Sequence, residues 1–200
     1  MEIKKKSTIL FLGDCITGAD RDLNNPNDLG HGYVERINDA IKNYRIKVVN
    51  RGVDENRTIN LLQQYEESVL AVKPDVVTIY IGMNDVWHHY SKGIETTNEE
   101  FENNFRSLLE KIKTDFNVPI IIIEPFIIDI TPELTKMREE LWQKVDIIRR
   151  LAREYAQEYI ALDGSFASAC IKHQPTFYSI DGVHPVSYTH LRAHETSLHL

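Results

Sequence analysis

Cysteine is nearly absent from this chain: Cys15 and Cys170 are the only two in 200 residues. Two thiols cannot build a disulfide framework, and they do not stand at metal-binding spacing. Long apolar runs are missing as well. The first, at 7–12, is far shorter than the ~20 residues of a membrane span, and no later run approaches that length. The basic start before it, Met1-Glu2-Ile3-Lys4-Lys5-Lys6, leads into Gly-Asp rather than a small-x-small cleavage site. That is not a secretory signal, so a cytoplasmic location is the expectation. Basic side chains are the minority, 23 Lys and Arg against 30 Asp and Glu, for a net charge of -7. This balance argues against nucleic acid or an anionic membrane as the main partner. No repeat and no interior linker breaks the chain, and 42% hydrophobic with 26% charged residues suits one globular domain.

What is present is an alternation of strands and helices. Ser7-Thr8-Ile9-Leu10-Phe11-Leu12 reads as a buried parallel strand. A polar loop rich in Asn and Asp follows at 18–32, and then a helix at 33–44 with Val34, Ile37 and Ile41 on one side. A strand at 46–50, a loop at 51–57 and a helix at 58–72 come next, then a strand at 76–81 ending at Gly82-Met83-Asn84-Asp85. Thr97-Asn98-Glu99-Glu100 is a capping box, and Phe101, Phe105, Leu108, Ile112 and Phe116 continue it at helical spacing. The Ile-rich run at 119–124 predicts a strand covered on both faces. Thr131-Pro132 opens a long helix, with Leu134, Leu141, Val145, Ile148, Ala152 and Tyr155 as its stripe. A fifth strand at 159–163 completes a three-layer α/β architecture, a doubly wound five-stranded parallel sheet in flavodoxin-like order.

Residues 1–185 form this domain, and 186–200 do not fit it. The tail carries His190, His194 and His199 without a helical stripe, where such a fold normally closes with a helix. Its wording resembles translated sequencing-adaptor read-through, so a non-native tail is expected.

The chemistry concentrates in two places. Gly13-Asp14-Cys15 puts a small nucleophile at the carboxyl end of the first strand, where ligand sites of open α/β sheets lie. Asp181-Gly182-Val183-His184-Pro185 supplies an acid and a base three residues apart. Together they hold the parts of a nucleophile–His–Asp device. Asp14 reads as the residue holding the turn, and with Trp87 it is a candidate substrate contact. His88-His89 reads as surface or substrate loop rather than metal, because no carboxylate spacing converges on it. Arg51 and Arg57 read as solvated loop charges, and Cys170 as a small buried apolar residue.

Four blocks in order, Gly13-Asp14-Cys15-Ile16-Thr17, Asn50-Arg51-Gly52, Gly82-Met83-Asn84-Asp85 and Asp181-Gly182-Val183-His184-Pro185, resemble the SGNH (GDSL-type) hydrolases across residues 7–185. The stretch Gly82 to Trp87 is similar to the bacterial branch containing carbohydrate acetylesterases. The resemblance implies the SGNH hydrolase fold and cofactor-free, metal-free ester hydrolysis, with a small acyl ester of a carbohydrate as substrate. It makes position 15 the nucleophile, His184 its general base and Asp181 the residue orienting the imidazole. Asn84, with backbone N–H groups of Cys15 and of the residue-55 loop, would form the oxyanion hole. Oligomeric state has no signature in the sequence.

Two positions depart from the family pattern. Cys15 stands for its Ser and Glu55 for its Gly. Thiolate is a better leaving group than alkoxide, although a neighbouring His can lower a thiol pKa. A non-Gly residue at 55 is strained by roughly 1 kcal/mol if the backbone there needs positive φ. Its carboxylate opposes an oxyanion unless turned outward. These departures define the alternative expectation, a catalytically impaired SGNH-fold protein that binds a ligand or another protein.

Overall fold

The computed structural model describes residues 3–186, so the expectation for the tail beyond Val186 lies outside the described residues. Strands β1 (Thr8–Gly13), β2 (Lys47–Gly52), β3 (Val76–Tyr80), β4 (Ile120–Ile123) and β5 (Glu158–Ile160) pair in parallel in the order β2-β1-β3-β4-β5. This is the flavodoxin-like order expected from the alternation of elements. The site end of the sheet is set by register: Gly13 closes β1 level with Gly52 of β2 and Tyr80 of β3.

Successive strand residues face opposite sides, and each side is covered. Leu10, Leu12, Val77, Ile79 and Ile122 pack against α3 (Thr58–Gln63), α5 (Asn98–Asp115) and α6 (Pro132–Tyr155). Phe101, Phe105, Leu108, Ile148 and Leu151 are the helical half of that core, all essentially inaccessible. Each such side chain stabilises the fold by about 1.5–3 kcal/mol. On the opposite side Ile9, Phe11, Val48 and Val76 meet Val34 of α2 (Tyr33–Ile41). A third, smaller cluster joins Met83 and Val86 of α4 (Met83–Lys92) to Leu134, Met137, Leu141 and Val145 of α6, and it also holds Val183. The loop carrying His184 is therefore anchored in apolar packing next to the helix that carries Asn84.

Four elements differ from expectation. The segment at 58–72 is not one helix: α3 stops at Gln63, and Glu66–Leu70 form a π-helical turn, closed by Ala71 N–H to Glu66 O at 3.0 Å. The wider turn seats both Tyr65 and Val69 in the core, with the Tyr65 hydroxyl donating to Asp115 Oδ2 at 2.8 Å. Helix α4 was not expected because its buried positions include Asn84, Asp85 and His88, which break any apolar stripe. Helix α7 (Leu162–Ala169) buries no residue and so leaves no periodic signal; the chain enters it at Leu162, which ends β5 earlier than the sequence suggests.

Candidate active site

The nucleophile position is built by close approach of backbone. Asp14 is extended, and its Oδ1 accepts the Ile16 N–H at 3.0 Å, capping the short helix α1 (Cys15–Gly18). A Cβ on Gly13 would stand 2.2 Å from Thr17 Oγ1 and 2.5 Å from the Tyr80 carbonyl oxygen. A Cβ on Gly52 would stand 2.3 Å from the Gly18 nitrogen. Glycine at both positions lets α1 sit directly on the ends of β1 and β2, with Cys15 as its first residue. Asn50 secures the same corner: its Nδ2 donates to the carbonyls of Thr17 and Leu29, both at 2.7 Å, and its Oδ1 accepts the Gly52 N–H at 2.8 Å.

The second block arrives from the other end of the chain. His184 Nε2 lies 3.3 Å from Cys15 Sγ, and His184 Nδ1 lies 2.7 Å from Asp181 Oδ2. Asp181 Oδ1 accepts the backbone N–H groups of Val183 at 3.0 Å and His184 at 2.8 Å, and the Ser179 hydroxyl at 3.1 Å. Burial works to raise the Asp181 carboxyl, but the bonds from the His184 ring and the two backbone N–H groups outweigh it and bring the group to about 2. In a neutral imidazole, a carboxylate on Nδ1 favours the tautomer with its proton there, which turns the Nε2 lone pair toward the thiol.

The thiol itself departs from expectation. Burial pushes Cys15 up to about 12, and the carboxylates of Asp14 and Asp54 push the same way. The imidazole does not offset them, so Cys15 rests as a neutral thiol rather than a thiolate.

Helix α4 brings in Asn84, the expected oxyanion donor. Gly82, at φ +125°, turns the chain out of β3 straight into α4, placing Asn84 in its first turn. Asn84 is buried, and its Nδ2 donates to the Asn56 carbonyl at 3.1 Å, leaving a second N–H on the same nitrogen. Asp85 ties this turn to α3 by accepting the Thr58 N–H at 3.0 Å and the Thr58 hydroxyl at 2.8 Å. Glu55 has φ +62°, the left-handed region where a non-Gly residue is strained. Its carboxylate turns outward to Lys92 Nζ, 2.7 Å away near the end of α4. Its N–H has no backbone acceptor among the described residues.

A cleft of about 530 Å³ opens beside the thiol, lined by Cys15, His184, Asp20, Tyr33, Arg36 and Asp54 among others. Two expected substrate contacts do not line it. Asp14 is wholly buried, which corrects its reading as a substrate contact: its Oδ1 caps α1, and its Oδ2 has no partner among the described residues. Burial raises that carboxyl to about 7, against the pull of the Ile16 N–H and His184. Trp87 is 40% exposed on α4, outside the lining of this cleft. Arg51 and Arg57 are not free loop charges: Arg51 donates to the Pro26 and Asn50 carbonyls, and Arg57 to the Thr96 hydroxyl. His88 is buried in α4, and His89 lies 2.9 Å from Glu140. Cys170 is partly exposed rather than buried. Among the described residues no group of three His, Cys, Asp or Glu could hold a metal ion, and no helix is long and apolar enough to cross a membrane.

Comparison with known proteins places this geometry. Residues 11–190 match the model of the GDSL-like Lipase/Acylhydrolase family. An acetylxylan esterase from Geobacillus stearothermophilus is 30% identical over 203 residues, covering 96% of this chain and 92% of that one. Crystal structures of that bacterium's acetylxylan esterase include catalytic mutants in which a serine, an aspartate or a histidine is changed to alanine. The serine mutant superposes with a TM-score of 0.86 at 29% identity, covering 100% of this chain and 95% of its own. An α/β hydrolase from the metagenome of Lake Arreo, Spain, gives a TM-score of 0.85 at 25% identity, with 98% and 95% covered. The chain belongs to the GDSL-like lipase/acylhydrolase family and carries the SGNH-type fold of a carboxylic ester hydrolase.

Proposed function

We propose that this protein removes small acyl groups, acetyl above all, from hydroxyl groups of a carbohydrate, using Cys15 as nucleophile. The observation that carries the reading is the chain of contacts from Cys15 Sγ to His184 Nε2 at 3.3 Å and from His184 Nδ1 to Asp181 at 2.7 Å. Because the thiol rests protonated, attack requires His184 to take the Sγ proton as sulfur bonds to the ester carbonyl carbon. Asp181 holds the ring and stabilises the imidazolium that forms. Asn84 Nδ2 and the N–H groups of Cys15 and Glu55 meet the developing oxyanion, each such donor being worth about 3 kcal/mol. His184 then protonates the leaving sugar oxygen. Water, deprotonated by His184 in its turn, discharges the acyl-enzyme.

The sugar acetate assignment draws on the acetylxylan esterase relative and on the polar side chains along the cleft. That relative's catalytic mutants include an aspartate and a histidine three residues apart, the spacing of Asp181 and His184 here.

A second reading, a catalytically silent fold that binds its ligand without turning it over, is favoured by the burial of Cys15 beside Asp14 and Asp54, which pushes its thiol up to about 12. Aryl-acetate and acetylated xylo-oligosaccharide hydrolysis by the parent, Cys15→Ser and Cys15→Ala proteins separates the two. The esterase reading expects parent activity that iodoacetamide stops and that Cys15→Ala lacks. An inert parent restored by Cys15→Ser supports the silent reading. Three folded, inert proteins defeat the catalytic assignment altogether.

A further inference from the structure

An acyl group carried on Cys15 is a thioester, and this changes what can discharge it. Sulfur donates poorly into the carbonyl, so a thioester carbon is open to nitrogen nucleophiles to a degree that an oxygen ester, relative to water, is not. The cleft beside the thiol has room for such an acceptor next to the base: about 530 Å³ with His184 on its wall. Two of its carboxylates, Asp20 and Asp54, have no ion-pair partner among the described residues and stand free to accept N–H bonds, and the Arg36 guanidinium and the His31 imidazole line the same cleft.

The surroundings also choose between acceptors. A second thiol would have to react as thiolate, against the same burial and the same neighbours Asp14 and Asp54 that push the Cys15 thiol up. An amine is drawn to the same carboxylates as its ammonium and attacks after losing that proton to solvent, so the acidic lining that opposes a thiolate favours binding of this acceptor.

Resting on the esterase reading above, we propose that the acyl group on Cys15 is passed to a primary amine bound in this cleft, making the protein an amine acyltransferase as well as an ester hydrolase. In the first half-reaction Sγ bonds to the acyl carbon, its proton passes to His184 Nε2, and the C–O bond breaks with that proton leaving on the alcohol. In the second, the amine nitrogen bonds to the acyl carbon and gives a proton to His184. The C–S bond then breaks, and the imidazolium returns the proton to Sγ. The products are an amide, an alcohol and the regenerated thiol, with no oxidant or reductant consumed.

The test uses 4-nitrophenyl acetate as donor and glycinamide as acceptor. Nitrophenol release counts acylation, and mass spectrometry gives N-acetylglycinamide against acetate. The parent is expected to give an amide-to-acetate ratio about tenfold above that of Cys15→Ser at the same glycinamide concentration. An equal or lower ratio overturns the proposal. Asp54→Asn is expected to raise the half-saturating glycinamide concentration several-fold, and an unchanged value removes the carboxylate's part in acceptor binding. If Cys15→Ser hydrolyses the donor while the parent forms no amide, transfer is refuted and the esterase assignment of the site survives. If neither protein releases nitrophenol, both fall.

Discussion

The two arms of the site differ in how closely they follow the family. The arm from Asp181 to His184, the proposed base, keeps the family's residues: a carboxylate with three donors on one oxygen, the imidazole Nδ1 on the other, and Val183 buried beside it. The electrophile-facing arm, Cys15 and Glu55, carries both departures. One puts a thiol, raised by burial, at the proposed nucleophile, and the other puts a residue with φ +62° at the proposed oxyanion donor. The difference teaches that, on the proposed mechanism, a general base can be held ready while its nucleophile is not. On that mechanism, proton abstraction by His184 is the step on which turnover depends, because burial and two neighbouring carboxylates hold the Cys15 thiol up.

Removing the prepared arm gives the largest effect. His184→Ala is expected to cut aryl-acetate turnover by about 10⁴-fold, leaving whatever oxyanion contacts alone supply. A loss under tenfold in steady-state kinetics would mean the ring is not the base. Next comes conversion of the altered arm: Cys15→Ser should raise sugar-acetate kcat by at least about tenfold, since the tetrahedral adduct no longer expels sulfur in preference to the sugar oxygen. Equal rates would show that sulfur costs nothing here.

A smaller effect belongs to Asp14. Burial lifts its carboxyl from 3.8 to about 7, so between those values the folded protein binds more protons than the unfolded chain. Stability therefore falls as pH rises through that window. Asp85, lifted from 3.8 to about 6, contributes the same sign lower down, which leaves the upper part of the fall to Asp14. Asp14→Asn keeps a capping oxygen and should flatten denaturant stability between pH 6 and 7. An unchanged slope would mean Asp14 ionises freely. The same change should lower the thiol pKa of Cys15, read by alkylation of the Cys15 peptide against pH.

The smallest effects test the oxyanion loop. Glu55→Gly should relieve about 1 kcal/mol of left-handed strain and raise kcat a few-fold. Lys92→Ala, breaking a surface ion pair, should leave stability nearly unchanged and lower kcat by no more than about a few-fold with KM unchanged. Thermal melts and kcat at two salt concentrations check both.

The frame of this molecule was readable from its residues. Five apolar runs separated by turn signals predict the strands, and Gly13, Gly52 and Gly82 mark where the sheet ends open into the site. The pairing of Cys15 with His184 followed from family resemblance rather than from spacing, because 169 positions separate them. What was not readable had physical causes. Helix α4 buries polar residues to serve the site and so shows no stripe. The outward turn of Glu55 depends on Lys92, distant in sequence. The sign of the Cys15 shift depends on burial and on Asp54, neither visible in a local motif; the expectation that His184 would lower it weighed one neighbour and missed the rest.

The most direct test of the central claim is to locate the acyl group. The protein is mixed with an aryl acetate, quenched in acid and mapped by mass spectrometry, alongside His184→Ala. The account predicts acetyl on the Cys15 peptide of the parent and its absence, or about 10⁴-fold slower appearance, in His184→Ala. Turnover without acetyl on Cys15, or acetylation at the same rate without His184, would contradict it.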